Sequence, residues 1–208
     1  MTVSRTAGWR VMTPMDREDE RLLVARLRAG DTAAFDEVYD EYRPRVFGFL
    51  LRMSRNRTLA EDLLDETWLR LVRHAPRLTP DTRIGPWLFT VARNLYWSAR
   101  RDSLVEETSA HELLTLWPVP APWPSPFDLA AAGELERRVE AALSALPRQH
   151  REVLLLVGHE GLTPGEAAAV CGINAEALRQ RLPRARAALA ERLRDTPPVA
   201  QLKKGYAT

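Results

Sequence analysis

Apolar residues along this chain recur at three- and four-residue spacing, and nowhere does a strand-like alternation persist. Leu22, Leu23 and Leu27, then Phe35, Val38, Tyr39, Tyr42, Val46, Phe49, Leu50 and Met53, fall on one face of successive helices. Asp31, before Thr32-Ala33-Ala34, has the side chain of an N-cap. A further helix is predicted from about Thr58, running through Leu59, Asp62, Leu63, Glu66, Leu69 and Val72. The segment from His74 to Pro86 holds Pro76, Pro80, Gly85 and Pro86 and is predicted to be a loop. Trp87 to Arg101 forms the next helix, with Trp87, Val91 and Leu95 on one side. Near the C-terminal end, Leu135, Val139, Ala142, Leu143 and Leu146 make another stripe. Pro147 then opens a helix that carries Val153, Leu154, Leu156 and Val157 and stops at Gly161. The predicted class is all-α.

These elements fall into two small helical domains, residues 16–102 and 133–195, joined by a Pro-rich linker, residues 103–132. The centre of the linker, Trp117-Pro118-Val119-Pro120-Ala121-Pro122-Trp123-Pro124, cannot be helical, because proline lacks the amide donor and clashes with the preceding turn. Leu113, Leu114, Leu116 and Trp117 leave two readings of the linker open, a plain tether or a segment that docks. The two blocks are expected to fold separately. Residues 1–15 and 196–208 lack periodicity and are expected to be disordered.

The stretch Gly161 to Ile173 is the most informative. Thr163 followed by Pro164 and Glu166 is a capping box with proline at the first helical position. The short helix ends at Gly172, which tolerates the left-handed turn, and Ile173 plugs the turn. A second helix from about Asn174 carries Leu178, Leu182 and Ala185 inward and shows Arg179, Gln180, Arg181, Arg184 and Arg186 outward. That is the pattern of a helix-turn-helix whose second helix enters the DNA major groove; a helical hairpin with a solvated basic face has the same periodicity. Pro183 falls inside this second helix, where an interior proline costs about 3 kcal/mol and predicts a kink, or a new turn, after Leu182.

Composition changes this picture little, and charge distribution changes it more. The 208 residues carry 30 Lys plus Arg against 28 Asp plus Glu, a net charge of +2 that does not itself point to nucleic acid. Asp16 to Glu66 is rich in acids, whereas Arg83 to Arg101 holds Arg83, Arg93, Arg100 and Arg101 and no acid. An acidic part beside a basic part suits a protein that faces two partners, one a polyanion. The lone Cys171 excludes an internal disulfide and is expected to be a buried structural thiol. No apolar run approaches the ~20 residues of a membrane span, and the N-terminus lacks a secretory h-region, so a cytoplasmic protein without membrane contact is expected. The four histidines are scattered, with no nucleophile, Gly-rich loop or metal cluster beside them, so neither a cofactor nor enzymatic chemistry is expected.

Four segments, in order, resemble the bacterial RNA polymerase sigma factors of the extracytoplasmic-function (ECF) group. Ala60-Glu61-Asp62-Leu63-Leu64-Asp65-Glu66-Thr67-Trp68-Leu69-Arg70-Leu71 resembles region 2.2, which grips the polymerase clamp. Gly85-Pro86-Trp87-Leu88-Phe89-Thr90-Val91-Ala92-Arg93-Asn94-Leu95 resembles the promoter-melting helix of regions 2.3 and 2.4. Leu143 to Leu154 resembles region 4.1, and the helix-turn-helix with Arg181-Leu182-Pro183-Arg184-Ala185-Arg186 resembles region 4.2. The absence of regions 1.1 and 3 points to the ECF group. The sequence departs from the family at Asp65, where an amide is usual, at Ser98, where an acid is common, and at Pro183.

The resemblance implies partners and sites. Asp62, Asp65 and Glu66 share a helix face at i, i+3 and i+4 and would meet the β′ clamp of core RNA polymerase. Core polymerase would be bound through the first domain and the linker, with the β flap as a further contact. Arg93, Trp97, Arg100 and Arg101 place cations beside a ring on one helix, which suits single-stranded DNA. With Arg83 and Asn94 they would form the minus-ten surface, the loop Leu78 to Ile84 holding a flipped base. Glu176, Arg179, Gln180, Arg181, Arg184 and Arg186 would bind the double-stranded minus-thirty-five element. An anti-sigma protein is a further partner that the family admits. The implied function is that of an alternative sigma factor directing core polymerase to specific promoters and promoting melting. The competing reading is a stand-alone helix-turn-helix regulator, which would not need Asp62-Leu63-Leu64-Asp65-Glu66.

Overall fold

The computed structural model describes residues 16–110 and 133–195, and the predicted linker centre and both termini lie outside those residues. The first body holds α1 (Arg17–Arg28), α2 (Thr32–Ser54), α3 (Arg57–His74), a short 3-10 turn (Ala75–Arg77) and α4 (Ile84–Ala110). The second body holds α5 (Glu134–Ser144), α6 (Arg148–Leu154), a π turn (Leu155–His159), α7 (Pro164–Cys171) and α8 (Ala175–Asp195). No strand occurs among the described residues.

Local chemistry places most boundaries. Asp31 caps α2 by accepting from the Ala33 and Ala34 amides at 2.9 and 3.3 Å. The Arg26 guanidinium hydrogen-bonds this carboxylate and holds it below the usual range for an aspartate. Asn56 caps α3 by accepting from the Leu59 amide at 3.1 Å, so the helix starts at Arg57, just before the expected Thr58. Helix α4 begins at Ile84 rather than Trp87, so Gly85 and Pro86 belong to its first turn, where a proline costs no hydrogen bond. It also continues past Arg101 to Ala110. Gly85 packs closely on Tyr42, and a Cβ there would lie 3.1 Å from the ring, which would have to shift by a few tenths of an ångström. Pro147 caps α6 rather than standing inside it. The helix it begins widens into a π turn, with the Glu160 amide donating to the Leu155 carbonyl at 2.9 Å, before Gly161 turns at φ +70.

In the first body α2, α3 and α4 pack on one another around Phe49, Leu50, Met53, Leu71, Leu88, Phe89 and Tyr96, all fully buried. Leu22 and, in the second body, Leu135 were placed on apolar stripes by spacing; both side chains are exposed.

The two blocks pack against each other. Helix α4 packs on α7, α2 touches α6, and the buried apolar residues of both bodies form one continuous core. Complementary charges line the contact. Arg45, Arg52, Arg83 and Arg93 of the first body pair with Glu160, Glu140, Glu166 and Glu152 of the second, at 3.0, 2.6, 3.1 and 2.8 Å. Arg151 adds a hydrogen bond to the Arg52 carbonyl at 3.0 Å.

Candidate nucleic-acid and protein interfaces

The helix-turn-helix is built as its sequence demands. Thr163 Oγ1 accepts from the Glu166 amide at 3.3 Å, and the Glu166 carboxylate accepts from the Thr163 amide at 2.9 Å. Gly172 closes α7 at φ +64. Asn174 opens α8 by accepting from the Ala177 amide at 2.7 Å. Leu178 and Ala185 are buried and Leu182 is half-buried, holding α8 against α6 and α7. Cys171 is buried here, and its thiol is pushed up to about 12, first by desolvation and then by the nearby Glu152 carboxylate.

Helix α8 runs unbroken from Ala175 to Asp195 with Pro183 inside it, so no new helix starts after Leu182. Pro183 lies on the exposed side, where the carbonyl one turn earlier can turn to water. Glu176, Arg179, Gln180, Arg184 and Arg186 are exposed together and Arg181 is half-buried. Glu176 accepts from Arg179 at 2.5 Å and from Gln180 at 3.2 Å, which presents the two side chains side by side.

On α3, Asp62 and Asp65 are exposed, and Glu66 is half-buried and paired with Arg70 at 3.0 Å. Leu69 and Val72 continue the same strip, 50% and 56% exposed. This surface therefore joins two exposed carboxylates to two exposed apolar side chains. The sequence reading ran this helix through Leu69 and Val72 without assigning them to the surface.

The predicted minus-ten surface on α4 is differently disposed. Arg93 donates to Glu152 at 2.8 Å, and the Trp97 indole N–H donates to the same carboxylate oxygen at 3.1 Å. Glu152 is only 1% exposed. Asn94 is exposed and accepts from Arg93 at 3.4 Å, Arg100 is half-buried, and Arg101 is exposed and donates to Ser98 at 3.1 Å. Ser98 thus keeps an acceptor one turn from Arg101. Arg83 is drawn between two carboxylates, Glu20 of α1 and Glu166 of α7. Glu20 also accepts from the Ile84 amide at 2.9 Å, and Arg21 pairs with Asp81 at 2.6 Å, so the loop before α4 is tied to α1. Of the six residues assigned to this surface, Arg83, Arg93 and Trp97 face the second body. The sequence reading missed the partners, Glu152 above all. Its only signal was an acid directly before the apolar run that starts at Val153.

Two family models match the chain: Sigma-70 region 2 over residues 38–103 and Sigma-70 region 4 over residues 136–189. The RNA polymerase sigma factor CarQ of Myxococcus xanthus is 38% identical over 75% of this chain and 87% of its own length. The ECF RNA polymerase sigma factor EcfG of Rhodopseudomonas palustris is 34% identical over 70% of this chain and 77% of its own length. The chain belongs to the ECF sigma factors. Among solved structures, this ECF sigma factor is similar to the sigma factor RpoE of Bartonella quintana, in co-crystals with the anti-sigma factor NepR. The TM-score is 0.63 at 25% identity, covering 77% of this chain and 96% of that one. CnrH, solved with the cytosolic domain of CnrY, shares the fold, with a TM-score of 0.64 at 23% identity over 86% of this chain and 99% of that one. The sigma factor is therefore a transcription initiation factor, and the stand-alone regulator reading is set aside. No described helix of it is long and apolar enough to cross a membrane.

Proposed function

We propose that three separate surfaces of this sigma factor carry out promoter-directed initiation. The α3 strip of Asp62, Asp65, Glu66, Leu69 and Val72 docks on the β′ clamp of core polymerase. Its carboxylates meet basic clamp residues, and its leucine and valine side chains bury on contact. The α4 surface of Arg83, Arg93, Asn94, Trp97, Arg100 and Arg101 holds the melted minus-ten strand. The α8 surface of Glu176, Arg179, Gln180, Arg181, Arg184 and Arg186 reads the minus-thirty-five duplex, and the second body reaches the β flap. An anti-sigma protein is a fitting partner, since the sigma factor RpoE of similar fold was solved with one.

The observation that carries this reading is the exposed α3 strip, because a regulator that bound DNA alone would have no use for acids and apolar side chains outside its core. Asp62→Arg with Glu66→Arg should weaken co-elution with core polymerase at least about tenfold, two reversed charges each opposing a basic surface. Circular dichroism and the urea midpoint should stay unchanged. Undiminished co-elution would remove α3 as the docking surface.

A further inference from the structure

The loop before α4 is anchored at both ends by buried apolar side chains, Leu78 and Ile84. Between them Thr79 to Thr82 closes on itself. The Thr82 amide donates to the Thr79 carbonyl at 3.0 Å, the Thr79 amide donates to Thr82 Oγ1 at 3.0 Å, and the two hydroxyls lie 2.9 Å apart. Thr79, Pro80 and Asp81 are left exposed. These bonds hold the shape of the turn but not its direction. Direction comes from α1, 60 and 64 positions away in the chain. Arg21 donates to Asp81 from Nε and Nη2, at 2.9 and 2.6 Å. Glu20, only 5% exposed, accepts from the Ile84 amide at 2.9 Å and pairs with Arg83. Glu20 is an unusual core residue. Its neighbours on the buried face of α1 are Leu23, Val24 and Leu27, and an apolar side chain there would avoid desolvating a carboxylate. What the acid supplies is an acceptor at the head of α4. Arg83 stands at the N-cap position, its carbonyl accepting from the Trp87 amide at 2.9 Å, and its side chain has no oxygen to offer the first free amides. Glu20 therefore caps α4 from a different helix, with its charge at the positive end of the helix dipole.

We propose that Glu20 is a positioning residue for base recognition in the minus-ten element, with Arg21 as a second tie. Helix α1 sets the angle at which the turn from Thr79 to Asp81 meets a flipped base. This rests on the reading of Leu78 to Ile84 as the loop that holds that base. Flipping a base costs free energy, and only a loop already in place offsets it. A recognition site must be held to within about 0.5 Å by the groups behind it. Glu20 does this through the Ile84 amide and Arg83, and Arg21 does it through Asp81. Arg21 also neutralises the one carboxylate on the exposed turn, whose charge would otherwise repel the DNA backbone. Neither α1 side chain touches the base; each acts through the loop.

The test uses holoenzyme reconstituted from core polymerase and the full-length chain. A promoter that the wild-type holoenzyme transcribes is randomised through its minus-ten element, heparin-resistant open complexes are captured, and sequencing gives the base preference at each position. Glu20→Ala should lower the preference at one position, that of the flipped base, about tenfold and leave the other positions within about twofold. Glu20→Gln keeps a side-chain oxygen for the Ile84 amide and should recover most of that preference. Arg21→Ala removes an exposed pair and leaves the core intact; it should lower the preference at the same position about two- to threefold. Thr79→Ala with Thr82→Ala opens the turn itself and reports on the loop assignment. If this pair removes the preference while Glu20→Ala and Arg21→Ala leave it unchanged, α1 does not position the loop and the proposal fails alone. A uniform loss at every position with Glu20→Ala, together with no change in Arg21→Ala, makes Glu20 a purely structural residue and overturns the proposal as well. If none of the variants changes the preference at any single position, the assignment of the loop to the flipped base fails with it.

Discussion

Helices α4 and α8 are both arginine-rich, and the resemblance assigns each to DNA, yet the structure treats them oppositely. On α8, Arg179, Gln180, Arg184 and Arg186 face outward, and the Glu176 carboxylate that orders two of them is itself exposed. On α4, Arg93 and Trp97 are engaged by a buried glutamate of the other body. The difference teaches that a basic helix face becomes a binding surface only when nothing in its own chain supplies the anion. It also predicts unequal consequences for the same substitution. An exposed cation contributes to partners; a cation that neutralises a buried carboxylate contributes to stability first.

The largest expected effect breaks this comparison directly. Arg93→Ala leaves Glu152 without its guanidinium and should lower stability in urea by about 3 kcal/mol, unless the bodies part to rehydrate the carboxylate. Adding Glu152→Ala should recover much of the loss. Arg184→Ala, on exposed α8, should change stability by no more than about 0.5 kcal/mol. Equal urea midpoints for the two single variants would show that the helices are not energetically different.

A second measurement sharpens the comparison within α8. Arg179→Ala or Gln180→Ala, in the first turns of the recognition helix, should alter which minus-thirty-five sequences the holoenzyme uses, by about 1–3 kcal/mol of discrimination. Arg184→Ala lies beyond them and should weaken all promoters alike, lowering the salt slope of binding by about 1. A promoter-specific effect of Arg184→Ala would move base reading past Pro183.

The smallest effect concerns the thiol beneath the contact. Burial raises Cys171 from 9.0 to about 12, so between those values the native state binds a proton that the unfolded chain has lost. Stability therefore falls as pH rises through that window and is unaffected below it. The difference in urea midpoint between the wild-type chain and Cys171→Ala should shrink between about pH 8 and about pH 10. A constant difference would mean that the thiol ionises in place.

Much of the local architecture was legible because it depends on neighbours in the chain. Asp31 at the head of α2, the Thr163–Glu166 box and the Gly172 turn are short-range devices, and each stands where the residues put it. The exposed face of α8 followed from helical periodicity together with three inward residues, Leu178, Leu182 and Ala185. Which residues of a stripe are buried was not legible. Leu22 and Leu135 have the spacing of core residues, and only the position of the next helix decides whether such a residue meets it.

The sequence by itself determined the all-α class, the caps at Asp31 and Thr163 and the helix-turn-helix, since these are set by periodicity and by contacts a few residues apart, and the order of four resembling segments pointed to its family. Only the tertiary structure decided that the two bodies close on each other and that Arg93 and Trp97 meet Glu152. Those residues lie 59 and 55 positions from that partner, and an ion pair at such distance leaves no periodic trace in a single chain. An arginine written in sequence carries its charge but not the identity of the anion that neutralises it. Burial, dielectric and the opposing helix supply that, and they exist only once the chain has folded.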